Sequence, residues 1–309
     1  MATKFDAVLV NLQDVDRPLA AETIYGLSDL NTDDLKRLGA VWGGIPLERR
    51  RSLIHRLVEA AETNFDMDFG AVTRLALTDL DDEVRATAVE ATWTDESPDM
   101  LRRLMGLASG DRAEAVRAAA VSALGQFILL GELGKYDPML TRQAENVALK
   151  LYHNAAETVD VRRRALEAIA NCGREGVSEM IEESYQHGDA RMRASALFAM
   201  GRSCDPKWAS VVLRELESGD PEMRYEAARA AGELELRESV PQLARLLDGE
   251  DREVMEMAVW ALGEIGGKQA QQLLDDLIER AENAGDDALV EAIEEAMEAA
   301  NLAGQDLAF

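Results

Sequence analysis

A short helical pattern returns along this chain at a nearly fixed step, and that recurrence restricts the fold more than any other feature. The fragments are DDEVRATAVEA from Asp81, AEAVRAAAVSALG from Ala113, VDVRRRALEAIA from Val159, DARMRASALFAMG from Asp189, DPEMRYEAARAAG from Asp220 and DREVMEMAVWALG from Asp251. The residue after the Val or Met serves as an anchor: Arg85, Arg117, Arg162, Arg193, Arg224 and Met255, at spacings of 32, 45, 31, 31 and 31 residues. Apolar residues fall at anchor −1, +3, +4 and +7, as in Met223, Ala227, Ala228 and Ala231, or Val254, Ala258, Val259 and Leu262. Steps of three and four mark one face of a helix and not a strand.

Punctuation recurs with the same step. Asp82, Asp189, Asp220 and Asp251 precede the anchors, where a carboxylate caps a helix by accepting backbone N–H bonds. Gly125, Gly201, Gly232 and Gly263 stand at equivalent places and are predicted to stop the helices in a left-handed conformation. A second amphipathic segment follows, such as VPQLARLLDG from Val240 or KQAQQLLDDLIER from Lys268. One helix pair cannot bury its apolar stripe alone, so neighbouring pairs must stack. The long interval holds an insertion near 126–140, QFILLGELGKYDPML, either a second binding segment or a lid over neighbouring units.

The stretch from Gly232 to Gly263, with Pro241, Leu243 and Leu246–Leu247, resembles HEAT repeats, and more closely the short variety named after phycobilin lyases. It departs at Met255, where that family usually carries Arg. The resemblance covers 66–265 and implies an all-α fold: a right-handed α-solenoid, or superhelix, of about eight stacked helical hairpins, HEAT/armadillo-like. Residues 1–31 are an N-terminal segment in which Pro18 opens a short helix. Residues 32–301 are one continuous solenoid ending in a cap at 268–301, and 302–309 are a tail. The resemblance also implies that each anchor Arg bonds Asp or backbone in an adjacent repeat.

Charge narrows the partners. With 33 Lys and Arg against 59 Asp and Glu the net charge is −26, and residues 210–309 alone hold 25 acids and 8 bases. Nucleic acid is excluded as a general partner, because phosphate binding needs clustered Lys and Arg. The acidity suits a basic partner, a salt-adapted host, or simple solubility of an extended surface. No stretch reads as roughly 18 consecutive apolar residues, so no membrane span is expected. No secretory signal is read at the N-terminus. Cys172 and Cys204, 32 residues apart, are expected in neighbouring inter-helix turns; they make neither a disulfide framework nor a zinc site. The expected compartment is the cytoplasm.

Catalytic patterns are missing from the sequence. His55, His153 and His187 are each followed by a residue other than Glu, whereas HEAT-like di-iron hydroxylases bind metal through His-Glu pairs. No HExxH, nucleophile-elbow or Walker-type pattern occurs. The acidic pairs Asp275–Asp276, Asp286–Asp287 and Glu294–Glu295 read as solvated faces, since adjacent helical residues point about 100° apart. No cofactor and no metal are expected.

In HEAT proteins the anchored helix lines the concave side, so anchor +1, +5 and +9 form one ridge there. The later repeats place Phe198 and Arg202, then Tyr225, Arg229 and Glu233, then Glu256, Trp260 and Glu264 on it. Tyr, Trp and Arg are favoured binding anchors, so this ridge is either a groove for a protein or peptide, or packing between repeats. The third repeat places Arg163, Glu167 and Asn171 there, and the earlier repeats are blander: Ala86, Glu90 and Thr94, then Ala118, Ser122 and Gln126. The expected function is a non-enzymatic scaffold binding a protein or peptide on the concave face. A lyase, isomerase or accessory subunit of the phycobilin lyase-like class is the alternative.

Overall fold

The computed structural model describes residues 4–64 and 66–305, with side chains through 301. The expected tail at 302–309 falls largely outside them. The chain divides into two compact units, Met1–Ala168 and Ile169–Phe309. All regular structure among the described residues is helical.

The first unit contains α1 (Lys4–Gln13), α2 (Ala21–Tyr25), α3 (Thr32–Trp42), α4 (Leu47–Thr63), α5 (Gly70–Ala76), α6 (Asp82–Glu90), α7 (Pro98–Gly110), α8 (Glu114–Glu132), α9 (Pro138–His153) and α10 (Val159–Ile169), which runs to the unit boundary. The second contains α11 (Val177–His187), α12 (Ala190–Arg202), α13 (Ala209–Glu215), α14 (Pro221–Glu233), α15 (Val240–Leu246), α16 (Arg252–Ile265), α17 (Gly267–Ala284) and α18 (Asp287–Gln305). Short 3₁₀ turns at Pro206–Trp208 and Arg237–Ser239 lead into α13 and α15. Each unit is a stack of hairpins: α4 packs on α6 and α6 on α8, while α12 packs on α14, α14 on α16 and α16 on α18. The short helix near Pro18 begins only at Ala21, so Pro18 lies in the turn that precedes it.

The repeat pattern is the core pattern. In all six repeats the −1, +3, +4 and +7 positions are buried, from Val84, Ala88, Val89 and Thr92 to Val254, Ala258, Val259 and Leu262. Many are Ala, so little area per residue leaves water and the helices must come close.

That closeness corrects the role of the glycines. Gly125, Gly201, Gly232 and Gly263 lie inside α8, α12, α14 and α16 with ordinary negative φ. They sit at anchor +8, where the backbone of the next repeat passes. A Cβ there would lie 3.2 Å from Ala168 Cα, 2.8 Å from Ala230 Cα, 3.0 Å from Ala261 Cα and 2.9 Å from Ala296 Cα, respectively. Ala168, Ala230 and Ala261 are themselves anchor +6 residues. The left-handed stops come three residues later, at Cys204 (φ 51°) and Glu235 (φ 49°). At the second, Leu236 N–H donates to Ala231 O at 2.9 Å, a Schellman-type closure.

The caps follow the sequence with one shift. Asp189, Asp220 and Asp251 accept N–H bonds from Met192, Glu222 and Val254. In the first repeat the cap is Asp81, which accepts from Val84 N–H at 3.1 Å, and not Asp82.

Anchor arginines tie the stack together. Arg85 donates from Nε and Nη2 to both oxygens of Asp111 at 2.8 Å, and from Nη1 to Asp79 O at 2.8 Å. Arg117 grips Glu157 with Nε and Nη2 and donates to Asp111 O. Arg224 donates to Ser218 O at 2.8 Å. In all three the accepting carbonyl lies six residues before the anchor. Where Met255 removes the anchor charge, Arg252 reaches Asp286, the residue before α18. The sequence missed an equivalent in α4: Arg50 precedes buried Leu53, Ile54 and Leu57 at anchor spacing and pairs with buried Asp79 at 2.8 Å. Next to it Arg51 holds Asp81 with two bonds, which keeps that carboxyl below its usual value.

The insertion at 126–140 lengthens one hairpin and forms no separate lid. It extends α8 to Glu132 and opens α9 at Pro138, around a turn at Gly134. Phe127 and Ile128 are buried, and the Tyr136 ring meets Phe127 edge-on at 5.3 Å. The lengthened α8 has 19 residues and is apolar enough, by length and composition alone, to cross a membrane, although Glu114, Arg117, Ser122 and Gln126 interrupt it, so it is not a run of 18 consecutive apolar residues. In the first unit it packs on α6, α7 and α9.

Candidate functional site

In the second unit the ridge residues form a contact network. The Phe198 ring, half-buried, lies under two guanidinium groups, Arg229 at 4.3 Å and Arg202 at 5.7 Å from its centroid. Both arginines reach Glu233 Oε1 at 3.3 Å. Burial pushes the Glu233 carboxyl up; Arg202 and Arg229 pull it back, and Glu264 adds to the rise. Tyr225 stands one turn away, its phenol raised by burial and then by Glu226. Trp260, 36% exposed, lies across α14 so that a Cβ on Gly232 would come 2.8 Å from its ring. Glu256 pairs with Arg252, and Glu264 is exposed. The structure thus joins Phe198, Arg202, Arg229 and Glu233 into one cluster. Tyr225, Glu256, Trp260 and Glu264 lie around it.

The same ridge positions in the first unit enclose a cleft of about 780 Å³. Its floor is the small-residue face of α8: Ala115, Ala118, Ala119, Ser122 and Ala123. One wall comes from α6 and its following turn, with Asp82, Glu90 and Trp93. The other comes from α10, with Asp160, Arg163 and Arg164. Glu90, Ala118, Ser122 and Gln126 are the +5, +1, +5 and +9 positions that looked bland from residue type, and Arg163 is the +1 position of the third repeat.

Trp93 explains why the space is there. It occupies anchor +8, the place of the seam glycines. An indole cannot fit where backbone must touch backbone. Helix α6 stops at Glu90, and Trp93 lies in the turn beyond it. Its side chain is 40% exposed, and its carbonyl accepts from Gln126 Nε2 at 2.9 Å. The signal was present in the sequence: a Trp in a column otherwise held by Gly or Ala.

Charge in this cleft is uneven. Arg163 pairs with Asp160 at 2.8 Å, and Arg164 with buried Glu167 at 2.7 Å, so both cations are already neutralised. Asp82, Glu90 and Glu114 are exposed and carry no ion-pair partner among the described residues. The cysteines stand where expected, in the turns after α10 and α12, and neither is in a disulfide; Cys172 is buried and Cys204 exposed. His55, His153 and His187 fall on three different helices, α4, α9 and α11.

Stacked two-helix units with a ladder of anchor arginines define a helical-repeat protein. The HEAT-repeat family matches residues 71–144 and 209–298, more than half of the chain, and the chain belongs to that family. No curated protein matches the sequence. Among solved structures, Escherichia coli YibA is 18% identical over 92% of this chain and 98% of its own, with a TM-score of 0.47. Human deoxyhypusine hydroxylase is 16% identical over 96% of each chain, with a TM-score of 0.37. A chain of the Kap95:Nup1 complex is 15% identical over 96% of this chain and 41% of its own, with a TM-score of 0.40. At these identities nothing about activity or partners transfers.

Proposed function

We propose that this chain is a non-enzymatic scaffold that binds a segment of a protein or peptide along the ridge positions of its anchored helices. The observation that carries this reading is the cleft on α6, α8 and α10, open to solvent, with an exposed indole at its edge. Binding sites are typically concave, with a few polar groups around an aromatic or apolar surface. The cluster of Phe198, Arg202, Arg229 and Glu233, flanked by Tyr225, Glu256, Trp260 and Glu264, offers a second stretch of the same ridge. A cytoplasmic setting belongs to this reading and is consistent with two cysteines outside any disulfide.

A photo-cross-linking side chain at Ser122, inside the cleft, tests it against one at Arg102, exposed on α7. In extract of the native source, discrete protein adducts form from position 122 and not from 102. Equal adducts from both positions, or none from 122, overturn the reading. A third probe at Trp260 reports on the second stretch.

A further inference from the structure

We infer that the cleft in the first unit selects a cationic segment of its partner, seating one Lys or Arg side chain beside Trp93 and Glu90 and another between Asp82 and Glu114. This rests on the proposed use of the cleft as a binding surface and adds the chemistry of its occupant.

Three independent features point to a cation. The first is the broken seam. Of the six repeats, only this one carries a Trp at anchor +8, and the space appears beside it. The second is the ion-pair inventory. The two arginines of the wall are committed to Asp160 and Glu167, whereas three carboxylates at the rim are unpaired. An anionic occupant would meet those carboxylates and find no free cation. A cationic one would meet them and the exposed part of the Trp93 indole, a pairing that favours Lys and Arg.

The third feature is the floor. Ala115, Ala118, Ala119 and Ala123 with Ser122 leave room for an aliphatic stem to lie along apolar surface while its charged head reaches the rim. The rim acids frame the floor at two levels. Asp82 and Glu114 sit in the first turns of α6 and α8, and Glu90 ends α6. The two levels lie about 12 Å apart along α6, so two cationic side chains of one segment meet them, one at each end.

The experiment uses the full chain and a short dye-labelled peptide alternating Lys and Gly, with a Glu and Gly peptide as its counterpart. Fluorescence anisotropy reads the affinity. The Lys peptide binds and the Glu peptide does not. Trp93→Ala, which leaves charge unchanged, weakens binding about two- to fivefold. The triple change Asp82→Asn, Glu90→Gln, Glu114→Gln weakens it about tenfold. A triple change of equal charge on α18, Glu291→Gln, Glu294→Gln, Glu298→Gln, alters it less than about twofold, because none of these residues lines the cleft. Circular dichroism confirms that each variant is folded.

If the two triples weaken binding equally, or Trp93→Ala leaves it unchanged, attraction to a net charge of −26 accounts for the result and the inference falls. If adducts at Ser122 persist while the Lys peptide ignores the cleft, only the cationic occupant is wrong. If those adducts are also missing, the binding-surface reading fails with it.

Discussion

Glu235 holds a left-handed φ of 49° at the end of α14. A side chain there crowds the backbone at a cost of about 1 kcal/mol, which glycine escapes. Glu235→Gly should therefore raise unfolding stability by about 0.5 kcal/mol, after allowing for the extra freedom of glycine in the unfolded chain; chemical denaturation checks it. Glycine was visible at the right period in the sequence but was assigned the wrong task. Where a helix stops depends on which carbonyls still need partners, three residues further on. The task of Gly232 depends on Ala261 in the next repeat, and no single repeat shows that approach. The meaning of Trp93 was hidden for the same reason, because it lies in the column that residue breaks.

Helix positions and inward faces were legible because spacing alone dictates them, and every core position the pattern named is buried. The caps were legible to within a residue. Asp251→Ala should cost about 1 kcal/mol through loss of the bond from Val254 N–H. What the sequence could not give was the partner of each anchor, since Asp111 and Glu157 are set by loops of unequal length. The Arg85 and Asp111 side chains are 7% and 8% exposed, so Asp111→Ala leaves a buried cation and should cost about 3 kcal/mol. Burial works to raise the Asp111 carboxyl, but the bonds from Arg85 and Ala113 N–H outweigh it and hold it below its usual value. A depressed carboxyl contributes stability above its unfolded value of about 4 and loses it as pH falls through the folded value. The melting temperature should therefore fall below about pH 4, and less steeply in Asp111→Asn. Glu233 has the opposite sign: its folded value is raised, so acidification relieves it.

For the molecule as a whole, 59 acids against 33 bases set a self-repulsion that no single contact removes. Raising salt from a few millimolar to about 0.15 M screens it and should raise the melting temperature, since the buried anchor pairs are screened much less. Stability in such an array is a sum of repeat and neighbour terms, and the neighbour terms here pass through one small residue per repeat. Gly→Ala substitution separates this from helix propensity. At Gly106, exposed in α7 with open space around it, Ala should stabilise by about 0.5–1 kcal/mol. At Gly125, Gly201, Gly232 and Gly263, one at a time, the same change should destabilise by about 1–3 kcal/mol, because the added methyl meets the backbone of the next helix. Equilibrium unfolding of these five variants tests the seam directly: opposite signs are expected, and a gain at all five positions would contradict it.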